Sequence, residues 1–137
     1  MTSYTALIDG KAGAYGVVIP DLPGCIAMGA TLGEAIANAA EAMRDWVDVN
    51  VERGGAVPEP RAIEDLLADP EVAADISAGA VLHSVPLIRN SGRPAKANLS
   101  IDAGILAAID AEAKRRKLTR SAFIELMARH ALPEMAL

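Results

Sequence analysis

Asp9 and Asp21 are the acids that the chain sets nearest the ends of its short apolar runs. Metal-assisted hydrolysis would have to start from such a pair, because that chemistry clusters carboxylates around two divalent cations. Two carboxylates are too few. Glu34, Glu41, Asp45 and Asp48 fall at spacings that leave them on the solvent side of a helix. Cys25, the one cysteine, lies beside prolines with no histidine near it in sequence, which suits packing better than nucleophilic attack. It also rules out an internal disulfide and fits a reducing compartment. His83 and His130 do not complete a Cys/His metal set at usable spacing. His83 reads as a satisfied, partly buried strand side chain, and His130 as a cation near a helix C-terminus. The residues therefore point to no enzyme, no metal and no cofactor.

The other group with chemical potential is Lys96, Asn98 and Ser100. They alternate with Ala95, Ala97, Leu99 and Ile101, the period of a half-buried strand, so the three polar side chains share one face. Asp102 can cap a following helix whose stripe is Ile105, Leu106, Ile109 and Ala113, closed by Lys114 to Lys117. Thr119 then caps a second helix carrying Phe123, Ile124, Met127 and Ala131 on one side, with Pro133 as its stop. A lone strand leaves both edges unpaired, and three elements this small need oligomerisation. A second copy is the simplest cure.

This order resembles the ribbon-helix-helix DNA-binding family, in which two chains pair their strands into a ribbon that enters the major groove. The Leu118-Thr119-Arg120-Ser121 stretch is similar to that family's turn, where the start of the second helix grips phosphate through free N–H groups and the helix dipole. The resemblance implies that Lys96, Asn98 and Ser100 read bases, that Thr119, Arg120 and Ser121 clamp the backbone, and that Leu99, Ile101, Ile109, Phe123 and Ile124 form the dimer core.

Charge divides the chain in the same place. The net charge of −5 over 137 residues hides an acidic first part, with 5 Lys+Arg against 13 Asp+Glu in residues 1–90, and a basic remainder, with 8 against 5. Two different partners are implied, the second of them anionic. Only Tyr4, Tyr15, Trp46 and Phe123 are aromatic, too few to stack single-stranded bases along a groove. No basic leader precedes an apolar run and no stretch reaches the length of a membrane helix, so the expected setting is cytoplasmic, without membrane contact.

Tyr4–Asp9 and Tyr15–Ile19 around Gly10–Gly13 predict a hairpin, the rigid Pro20–Gly24 loop leads to a brief strand at 25–28, and Thr31 with Glu34 forms a capping box. The helix it opens puts Leu32, Ala35, Ile36, Ala39, Met43, Trp46 and Val47 on one face, and Gly54-Gly55 ends it. Two short helices are expected near 63–68 and 72–78. A strand follows over 80–88, which Pro86 limits to an edge or an end. The fold class is α+β: a β-β-β-α-β unit over residues 1–90, a linker at 91–94, and a dimer-forming unit over 95–137.

The first unit resembles the HicB family of antitoxins, which share a truncated ribonuclease-H-like domain. The matching residues are Tyr4, Val17 to Cys25, Gly29 to Ala35, Trp46 and Gly54 to Pro58. The resemblance implies a type II toxin–antitoxin pair. Residues 1–90 would neutralise a HicA-type mRNA-cleaving toxin, and the C-terminal unit, as a homodimer or a tetramer, would bind operator DNA and repress its own operon. The exposed and rigid Asp21, Leu22, Pro23 and Gly24 are the expected toxin contact. A ligand-sensing ribbon-helix-helix regulator and a residual nuclease using Asp9 and Asp21 are the alternatives.

Overall fold

The computed structural model describes residues 1–135; Ala136 and Leu137, the end of the expected C-terminal unit, lie outside the described residues. Strand β1 (Ser3–Lys11) turns back through Ala12-Gly13 into β2 (Ala14–Val18). Gly10 and Gly13, at φ +91° and +93°, supply the left-handed backbone that this tight turn needs. The Pro20–Gly24 loop folds on itself, Leu22 N–H donating to Ile19 O and Cys25 N–H to Leu22 O, before β3 (Ile26–Gly29) pairs antiparallel with β2. Helix α1 (Leu32–Glu52) follows, then short helices α2 (Ile63–Ala68) and α3 (Pro70–Ser77), then β4 (Val81–Pro86), which pairs antiparallel with β1. The sheet order is β3-β2-β1-β4. Pro86 closes an edge strand, where its missing N–H breaks no ladder.

The sheet is covered on one face by α1 and on half of the other by α2 and α3. Tyr4, Ala6, Ile8 and Val17 meet Ala35, Ile36, Ala39, Met43 and Val47 of α1 in the main core. Leu7 points the opposite way and packs with Leu66 and Val72. Thr31 caps α1 by accepting from Glu34 N–H at 3.1 Å, while the Glu34 carboxylate reaches back to Ala30 N–H at 3.3 Å, a capping box displaced by one residue. Leu32, expected on the buried stripe, is exposed, because as the first helical residue it precedes the turn that meets the sheet; the stripe starts at Ala35.

The strand expected over 95–101 is not formed in the single chain. Residues 87–102 carry no regular structure and residues 91–105 are exposed, because no neighbouring strand in the chain offers this segment a ladder. The two helices are present: α4 (Ala103–Arg115), capped by Asp102, whose carboxylate accepts from Ile105 N–H at 3.0 Å, and α5 (Arg120–Met135), capped by Thr119, whose hydroxyl accepts from Ala122 N–H at 3.1 Å. Pro133 does not stop α5. It lies inside the last turn, ahead of Met135, and is buried. Helix α5 packs antiparallel along α1: Glu134 lies over Gly33, while Leu126 and His130 face Ala37, Glu41 and Arg44.

Candidate functional site

Two surfaces carry the residues singled out in the sequence. On the first, Lys96, Asn98 and Ser100 are exposed on the extended segment ahead of α4. Ala95, Ala97, Leu99 and Ile101 line a cavity of about 640 Å³ together with Leu106 and Ile124, and Ser100 lines it as well, beside Arg120, Ser121 and Glu125. Apolar side chains of the segment are thus gathered over the helix pair but poorly covered: Leu99 is 65% and Ile101 42% exposed. Ile109 and Ile124 are half-buried, whereas Phe123 is already buried within the chain, with the Arg116 guanidinium 5.8 Å from its ring centroid.

The start of α5 is more heavily engaged than its sequence suggests. Thr119 spends its hydroxyl on the cap, and Arg120 donates from Nε and Nη2 to the two oxygens of Asp110, each at 2.8 Å. That fork-to-carboxylate pairing lowers the pKa of Asp110 and raises that of Arg120. Glu112 takes up Arg115 and Arg116 in the same way, and their hydrogen bonds pull its carboxyl down to about 2. Ser121, Lys114 and Lys117 stay exposed. Asp110 carried no signal in the sequence, since the pairing runs across the α4–α5 turn.

The second surface is built around the Pro20–Gly24 loop. The Asp21 carboxylate, only 4% exposed, accepts from Arg61 N–H at 2.9 Å and from Arg61 Nε at 2.6 Å, while Arg61 Nη1 donates to Asp69 at 3.0 Å. Asp69 is thereby held below the usual carboxylate range, first by Arg61 and then by the Glu71 N–H. Leu22 is buried in the main core, and Pro23 O accepts from Trp46 Nε1 at 2.9 Å. Of the four loop residues expected to meet a partner, only Pro23 and Gly24 are exposed. The loop's polar and apolar side chains are thus both in use within the chain.

The remaining candidates separate. Asp9 lies across Gly16 on the sheet surface, and Asp21 is committed to Arg61. Among the described residues no group of three or more His, Cys, Asp or Glu is placed to hold a metal ion. Burial pushes the Cys25 thiol up to about 11, which leaves it a packing residue. His83 differs from its expected role: its Nε2 is buried without a hydrogen-bond partner among the described residues. No helix among them is long and apolar enough to cross a membrane.

Comparison with known proteins covers most of the chain. A family model described as the HicB-like antitoxin of bacterial toxin–antitoxin systems matches residues 4–128. A 14.9 kDa protein encoded in the rep–hol intergenic region of Haemophilus phage HP1 is 32% identical over 107 residues, 78% of each chain. The crystal structure of the Burkholderia pseudomallei antitoxin HicB is 34% identical, covers 96% of this chain and 99% of its own, and superposes with a TM-score of 0.55. The N-terminal domain of that antitoxin, solved alone, is 33% identical over 64% of this chain and 99% of its own, with a TM-score of 0.50. With a family match that runs from the first strand into the last helix, over a four-stranded sheet, its crossing helix and a capped helix pair, the chain belongs to the HicB-like antitoxins of bacterial toxin–antitoxin systems.

Proposed function

We propose that this chain is the antitoxin of a type II pair in which residues 1–90, a truncated ribonuclease-H-like domain, bind and silence a HicA-type mRNA-cleaving toxin. Residues 95–137 pair with a second copy as a ribbon-helix-helix unit that binds operator DNA and represses the operon. The chain acts in the cytoplasm without cofactor and without catalysis of its own, as a homodimer or a dimer of dimers. The observation that carries this reading is the exposed alternating segment at 95–101, apolar at Leu99 and Ile101 and polar at Lys96, Asn98 and Ser100, attached to an acidic, fully cored N-terminal part. A core of its own is what a toxin-binding unit needs, and a strand without a ladder partner is what a dimer needs. A non-catalytic role is supported by Asp21, whose carboxylate is spent on Arg61.

The test is a truncation. Residues 1–90 expressed with the co-encoded HicA-type toxin are expected to rescue cell growth, while binding to the operon's promoter DNA disappears. The independent crystal structure of the corresponding domain in the B. pseudomallei antitoxin supports folding of the fragment. A folded fragment that leaves the cells to die would show that the roles are wrongly divided.

A further inference from the structure

We infer that the bare half of the sheet's outer face, centred on Val18, Ile26 and Met28, is where residues 1–90 take their protein partner, a small basic protein. This rests on the toxin-binding reading above and gives it a location. Leu7, Val18 and Ile26 stand opposite one another across three strands, as do Asp9, Gly16 and Met28 in the next row of the same face. Leu7 is buried under Leu66 and Val72, which fixes this as the face away from α1. Beyond Leu7 the cover ends, and Val18, Ile26 and Met28 are 42%, 65% and 68% exposed. An antiparallel sheet that faces water on one side normally alternates polar residues onto that side. Contiguous exposed apolar side chains instead mark an interaction surface.

Charge selects the occupant. The Asp9 carboxylate lies over Gly16 in the second row, its Oδ1 2.8 Å from where a Cβ would stand. The α2–α3 layer on the same face carries Glu64, Asp65, Asp69, Glu71 and Asp75, and residues 62–88 contain no lysine or arginine. Of the two arginines that flank this stretch, Arg61 is held between Asp21 and Asp69 and Arg89 is paired with Asp48. Two copies meeting through this face would bring like charges together, whereas a cationic protein is attracted and steered to it. Strand addition at the β3 edge is the weaker mode, because the Met28 carbonyl already accepts from Asn38 Nδ2 at 2.8 Å. Contact is therefore through the face.

The full chain carrying Ile26→Lys and Met28→Lys, titrated calorimetrically with the co-encoded HicA-type toxin, is expected to bind at least about tenfold more weakly than the parent, as loss of a central apolar contact predicts. An unchanged thermal melt shows that the variant is folded, and Ile26→Ser/Met28→Ser replaces it should the lysines unfold the sheet. Glu64→Gln/Asp75→Asn is expected to slow association and reduce its salt dependence. A parent chain that does not bind the toxin overturns the antitoxin reading itself. A parent that binds and a folded double variant that binds equally well overturn only the location. A variant that keeps toxin affinity but sediments at a lower mass than the parent overturns it too, by showing that the face joins copies of this chain.

Discussion

A Cβ on Gly29 would fall 2.4 Å from Ala35 N and 2.7 Å from its Cα, so the contact between β3 and the first turn of α1 depends on a missing side chain. Gly29→Ala must push the strand from the helix and is expected to cost about 1–3 kcal/mol in urea unfolding, the usual cost of overpacking. Gly16→Ala meets only the mobile end of Asp9 and should cost much less; equal losses would show that backbone entropy, not contact, is at issue. The residues proposed to meet DNA separate by a similar logic. Asn98→Ala is expected to lose about 1–3 kcal/mol of operator discrimination with little change in salt dependence. Arg120→Ala should weaken specific and non-specific binding alike and lower the salt slope by about one unit. Because Asp110 holds Arg120, Asp110→Asn is expected to strengthen DNA binding in a gel-shift titration; unchanged affinity would mean that Arg120 serves the hairpin and not the phosphate. Sequence alone could place Arg120 at a helix start, but not its partner ten residues earlier across a turn.

Elements were legible where their partners lie within reach of local pattern. The β1–β2 hairpin, the capping box of α1 and its stripe from Ala35 to Val47 follow from period and turn chemistry, and all formed. The segment 95–101 has the right alternation yet forms no strand, since alternation marks a candidate while a ladder needs a neighbouring strand, and the chain sets none beside it. Pro133 reads locally as a helix stop but lies buried inside α5, because burial is not a local property. The α4–α5 hairpin allows a pH test. Asp110 and Glu112 both titrate below their ordinary range when folded, so their contribution is present above roughly pH 4.5 and is lost as pH falls through the lowered folded values, about 2 for Glu112. Melting temperature should therefore be unaffected by these groups between pH 7 and 5 and fall below that. Asp110→Asn/Glu112→Gln should flatten the acid limb slightly, since the pairs are exposed.

At the scale of the molecule, the strands, the long helix across them and the helix pair could be laid out from the sequence, whereas the packing of α2 and α3 on the opposite face could not. The docking of α5 along α1 could not, because it joins residues far apart in sequence, such as Gly33 and Glu134, which local periodicity does not connect. The incompletely covered Leu99 and Ile101 have a further effect, on quantity instead of geometry. If folding of the 95–101 strand is completed by a second chain, its free energy contains a mass-action term, and dilution alone loosens it. The melting temperature of the C-terminal part should rise with protein concentration, while that of residues 1–90 should not; coincident, concentration-independent melts would contradict the pairing. Under that law operator occupancy at low abundance grows with the square of the chain concentration. The operon would then shut over a narrow range of antitoxin copy number.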